Sequence, residues 1–76
     1  MGRFKIAYPD GRVKWVKAID TVNGTIEFTE NADEAYRRSG DYYSKAEGEF
    51  IKFNFKDHEE VKYLEVITEY EGVYIP

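Results

Sequence analysis

From Ala32 to Phe53 one run of side chains keeps intervals of four, three, four, three, four and three: Ala32, Tyr36, Ser39, Tyr43, Ala46, Phe50 and Phe53. Residues three and four apart lie one above the other on an α-helix, so this interval marks one helical stripe. The spacing predicts a single long helix over 32–53 with its rings laid against a sheet. Asn31 is placed to cap it, and Glu34, three residues on, completes a variant of the capping box. Away from the stripe, Asp33 with Arg37, Glu34 with Arg38 and Asp41 with Lys45 set acid before base at i,i+4, the favourable order along a helix. Gly40 and Gly48 also fall off the stripe, each at a cost of about 1 kcal/mol in a helix interior. A second arrangement competes for residues 41–55. Arg37-Arg38-Ser39-Gly40 has the composition of a helix C-terminus, and Ala46-Glu47-Gly48 can turn a hairpin between 42–45 and 49–55. The stripe favours the helix, because a hairpin has no reason to keep helical spacing across its turn.

The flanking sequence reads as strands. Residues 3–8 alternate, with Phe4, Ile6 and Tyr8 on one face, and Pro9-Asp10-Gly11 supplies turn chemistry. Residues 13–19 alternate through Val13, Trp15, Lys17 and Ile19, while Val16 and Ala18 face the other way. Asn23-Gly24 is a two-residue hairpin signal, both central positions needing positive φ. A third strand over 25–29 buries Ile26 and Phe28. A fourth, over 61–70, sets Leu64, Val66, Thr68 and Tyr70 on one face and Tyr63 and Ile67 on the other. The fold class expected is α+β: an antiparallel β-meander with one long helix packed on one face, in the order β-β-β-α-β. Glu71-Gly72 leaves room for a short C-terminal edge strand at 73–75. One domain is expected across residues 1–76, because so short a chain has no space for a second core. Seven Tyr, five Phe and one Trp offset the small size with large buried area per side chain. The sheet face away from the helix, with Lys5, Lys14 and Glu65 beside Val16, Tyr63 and Ile67, is expected to be only partly polar. Such a face suits a partner or a homo-oligomer, formed there or through the last strand.

Catalytic and metal-binding chemistry finds little material. The chain has no cysteine and a single histidine, His58, in the charged run Asp57-His58-Glu59-Glu60. No Ser or Thr stands beside a plausible base, adjacent loop residues rarely converge on one ion, and the glycines are single and sit in turns. No catalytic residue, metal site or cofactor is assigned, and the protein is expected not to be an enzyme. No apolar run approaches the roughly 20 residues of a membrane span and no signal-peptide core is visible. A cytoplasmic protein with no membrane partner is the expectation.

Charge is unevenly spread. Residues 1–18 hold five basic side chains against one acid, whereas the other 58 hold six against fourteen, for a net −4. In the first hairpin Arg3, Lys5, Arg12, Lys14 and Lys17 interleave with Tyr8 and Trp15, the combination that pairs phosphate neutralisation with base stacking. Gly11-Arg12-Val13-Lys14-Trp15 resembles the opening of a cold-shock domain. The glycine-aromatic alternation expected next is replaced by Asn23-Gly24-Thr25-Ile26-Glu27-Phe28, and the overall negative charge opposes a polyanion. Nucleic acid is therefore the second expectation, carried by Arg3, Lys5, Arg12, Lys14, Trp15 and Lys17.

The acidic remainder supports the first. Glu30, Asp33, Glu34, Asp41, Glu47 and Glu49 on or beside the helix, with Asp57, Glu59 and Glu60 after it, are candidates to occupy a basic site on another protein. Ile51 and Phe55 form an i,i+4 pair off the aromatic stripe, so they are candidates either to pack under the following loop or to make an apolar interface. Phe28-Thr29-Glu30-Asn31, Asp33-Glu34-Ala35-Tyr36 and Ile51-Lys52-Phe53-Asn54-Phe55 resemble small uncharacterised proteins of phages and mobile elements, a group that includes inhibitors of bacterial defence systems. The resemblance implies a bacterial cytoplasmic setting and carries over no functional residue. The function expected is a non-enzymatic protein-interaction module, of the kind an acidic inhibitor provides.

Overall fold

The computed structural model describes residues 1–68. It is an α+β structure in which four antiparallel strands, β1 (Gly2–Ala7), β2 (Val13–Asp20), β3 (Thr25–Thr29) and β4 (Leu64–Thr68), lie in the order β3-β2-β1-β4. One helix, α1 (Asp41–Asn54), packs on one face. The edge strand expected at 73–75 lies outside the described residues.

Alternation in β1 works as the sequence implies: Phe4 and Ile6 are fully buried and the residues between them are not. Register carries that face across the sheet, Ile6 opposite Leu64 and Phe4 opposite Val66. In β2 the expected faces are exchanged. Val16 is fully buried, whereas Trp15 pairs with Lys5 and Thr29 on the face away from the helix. A bulge at Lys17 explains how Ile19 still joins Val16 on the core side. The extra residue resets the two-residue period, so Val16 faces Phe28 and Ile19 faces Ile26. The β2–β3 connection also differs from a two-residue turn. It spans Thr21-Val22-Asn23-Gly24, only Gly24 has positive φ, and Asp20 Oδ1 accepts hydrogen bonds from the backbone N–H of Val22 and Asn23.

The helix starts nine residues later than its spacing predicts, at Asp41. Asn31 does cap, its Oδ1 accepting from Asp33 N at 2.9 Å, but what it caps is a single 3-10 turn, Ala32–Glu34. Beyond it the chain extends. β1 and β2 pair over Lys5 to Ala7, and where they part, residues 36–38 enter. The Tyr36 N–H donates to Val16 O at 2.8 Å, and Gly2 and Arg38 exchange both backbone bonds at 2.6 and 2.8 Å. Continuing the helix would leave those strand groups without backbone partners, at about 1–3 kcal/mol for each that stayed buried. Stacking of Tyr36 on Phe4, with ring centroids 6.1 Å apart, adds to the preference for extended chain. Residues 41–54, the stretch that also allowed a hairpin, are helical.

α1 lies on the sheet by a face other than the aromatic stripe. Its buried residues are Ser44, Gly48 and Ile51, followed by Phe55 just past its end. A Cβ on Gly48 would overlap Val66 Cγ2, and one on Gly2 would overlap the Ser44 side chain. Small residues thus let helix and sheet backbones approach closely. The Ser44 hydroxyl donates within hydrogen-bond distance of Gly40 O, at 2.8 Å, and of Arg38 O, at 3.1 Å, so its burial leaves no orphan. A second 3-10 turn, Glu59–Tyr63, occupies the start of the expected fourth strand and closes the core with Val61.

Candidate functional site

A helix buried on Ser44, Gly48 and Ile51 must present the opposite side to solvent, and that side carries the stripe first read as core. At 100° per residue, Tyr43, Ala46, Phe50 and Phe53 centre about half a turn from the buried line. Their rings are open: Tyr42 is 78% exposed, Tyr43 58%, Phe50 42% and Phe53 73%. Arg38 lies over the Tyr43 ring at 5.5 Å, Lys56 lies over Phe53 at 5.5 Å, and Tyr42 meets Tyr43 edge-on at 5.5 Å. A concavity of about 420 Å3 runs alongside, lined by Thr21, Arg38, Tyr43, Ala46, Glu47 and Phe50. Its wall is fixed from beneath. The Tyr36 hydroxyl donates to the Glu47 carboxylate at 3.0 Å, and Arg38 Nε stands 3.6 Å from it. Burial, helped by that carboxylate, holds the Tyr36 phenol above the usual tyrosine range.

Ile51 and Phe55 are core residues, 0% and 4% exposed, and are withdrawn as interface candidates. Their spacing with Ser44 and Gly48 belongs to the inner face.

The acidic candidates do not form one surface. Glu34 accepts from Thr29 Oγ1 at 3.0 Å and faces Lys17 at 3.9 Å, on the sheet face away from α1. Glu47 serves Tyr36 and Arg38, and Glu59 pairs with Lys62 at 3.0 Å. Glu30, Asp33, Asp41, Glu49 and Asp57 are all exposed and are spread from the end of β3 to the loop after α1.

The basic hairpin divides too. Arg3 covers Trp15 at 4.6 Å on the open sheet face, beside Lys5. Arg12 turns back onto Asp10 at 2.7 Å and onto the Tyr8 ring at 4.6 Å, where Lys14 also reaches at 5.8 Å. Arg12, Asp10, Glu59 and Glu60 then share a cleft of about 340 Å3 with Tyr8 and Tyr63, whose mixed charge selects neither a polyanion nor a polycation. Among the described residues no group of three or more His, Cys, Asp or Glu side chains is placed to hold a metal ion, and no helix is long and apolar enough to cross a membrane.

The chain matches no family model, no curated protein and no solved structure.

Proposed function

We propose that this chain is a non-enzymatic protein-interaction module and that its working surface is the outer face of α1. The observation that carries the reading is the exposure of four large rings on one helix, with a concavity beside them. Isolated exposed apolar residues are ordinary, but a contiguous aromatic patch is the composition of interface centres, where Tyr and Phe are enriched. Charge is secondary on this surface: the acids first considered are spread over several segments, and three already serve partners in their own chain. The test is capture by the immobilised protein and by its Phe53→Ser variant. A bound protein retained by the parent and lost by the variant, with unchanged circular dichroism, is the expected result. Identical capture by both would remove the outer face from the reading.

A further inference from the structure

The outer face of α1 carries its own complement. Tyr43, Ala46, Phe50 and Phe53 keep intervals of three, four and three, the spacing of an a/d seam in a coiled coil. Within that seam a hole already exists. Tyr43, Ala46, Glu47 and Phe50 stand at i, i+3, i+4 and i+7 and line the 420 Å3 concavity together with Thr21 and Arg38. Four residues in that arrangement receive one side chain from a facing helix.

The seam is symmetric about Gly48. If a second α1 lies antiparallel across it on a two-fold axis at that level, Tyr43 comes opposite Phe53 of the second copy. Phe50 comes opposite Ala46, so each chain inserts one ring into the other's hole and the same contact is made twice. On one flank Glu49 of each copy comes near Glu49 of the other, and Lys45 of both copies, one helical turn away, offsets the like charge. On the opposite flank Glu47 is already held by Arg38 at 3.6 Å and by the Tyr36 hydroxyl, which weakens like-charge repulsion across the axis. Antiparallel helices also oppose their dipoles. Given the exposures of Tyr42, Tyr43, Phe50 and Phe53, rings of roughly 200 Å2 leave on the order of 500 Å2 per chain for contact. Complete cover of these rings in two copies would bury about 1,000 Å2, the size at which specific interfaces begin.

We propose that the partner of this face is a second copy of the chain, joined as an antiparallel two-fold dimer with Phe50 of each copy in the Ala46 hole of the other. The proposal rests on the outer face being an interaction surface and names its occupant. Sedimentation and light scattering from about 10 μM to 1 mM chain should show the mass rising to twice that of one chain. Ala46→Arg, which fills the hole, and Phe53→Ser, at a well-exposed position, should each raise the dissociation constant at least about tenfold without changing circular dichroism. Lys45→Glu should weaken the dimer, and adding Glu49→Lys should restore it. A single-chain mass across the whole range overturns the proposal. So does a dimer indifferent to Ala46→Arg and Phe53→Ser, which would place the contact on the sheet. A single chain that still captures another protein in a Phe53-dependent way breaks the dimer alone; one whose capture ignores Phe53 breaks the outer-face reading as well.

Discussion

The two faces of α1 have opposite chemistry and, at first sight, opposite positions. The inner face offers Ser44, Gly48 and Ile51 and is buried; the outer face offers Tyr43, Phe50 and Phe53 and is open. Hydrophobicity alone would seat the helix the other way round. What reverses it is distance. Val66, Phe4 and Leu64 crowd the sheet surface so closely that a Cβ at Gly48 would overlap Val66. Rings on that side would hold the helix away and open voids, whereas glycine and serine let it settle into contact. Ile51 and Phe55 then supply the apolar area where the helix leaves the sheet centre.

Substitutions on the two faces should therefore differ by kilocalories. The largest effect belongs to Ile51→Ala: about 3 kcal/mol lost in urea denaturation, within the range for a fully buried Ile. That corresponds to a melting temperature lower by more than about 10 °C. Gly48→Ala comes next. Alanine favours the helix by about 1 kcal/mol, yet overlap with Val66 should leave a net loss of about 1–2 kcal/mol. Val66→Ala in the same chain should recover part of it, and a stabilising Gly48→Ala would disprove the close approach.

Tyr36→Phe probes the seam between the faces, where the phenol reaches Glu47. It should cost about 1 kcal/mol at neutral pH, the ordinary net worth of one hydrogen bond. The sign with pH follows from linkage. The folded protein holds the phenolic proton more tightly than the unfolded chain. The stabilisation is therefore complete below the unfolded tyrosine value, near 10, and is lost as pH rises through the higher folded value. Denaturation followed from pH 8 to 11 should show that loss in the parent and a flatter profile in Tyr36→Phe. Smallest of all is Phe53→Ser, expected within about 0.5 kcal/mol of the parent in the same urea assay. A loss as large as that of Ile51→Ala would mean that the outer ring is part of the core.

Much of the fold was legible in the chain. The meander, the Phe4 and Ile6 face, the Asp10-Gly11 turn and the helical character of residues 41–54 all follow from alternation, turn chemistry and the three-four interval. The proposed interaction surface was not, because the same stretch holds two stripes. Ser44, Gly48, Ile51 and Phe55 recur at four, three and four, as regularly as the aromatic set. The small residues Ser44 and Gly48 in that stripe were the available signal for a closely packed face, and the conspicuous row of rings beside them obscured it. Residues 32–40 depart from their local helix signals for a related reason. Asn31 and Glu34 have the chemistry of a helix start, but the open groups of Gly2 and Val16 compete for the same backbone from a distant part of the chain.

Local sequence by itself determined where strands, turns and a helix can form, since these depend on propensity, turn residues and side-chain period. Only the tertiary structure decided which side of α1 is hidden, where the helix begins, and that Trp15 looks away from it. Those choices turn on how near two backbones can come and on which distant groups satisfy one another, and neither is written in the spacing of one segment.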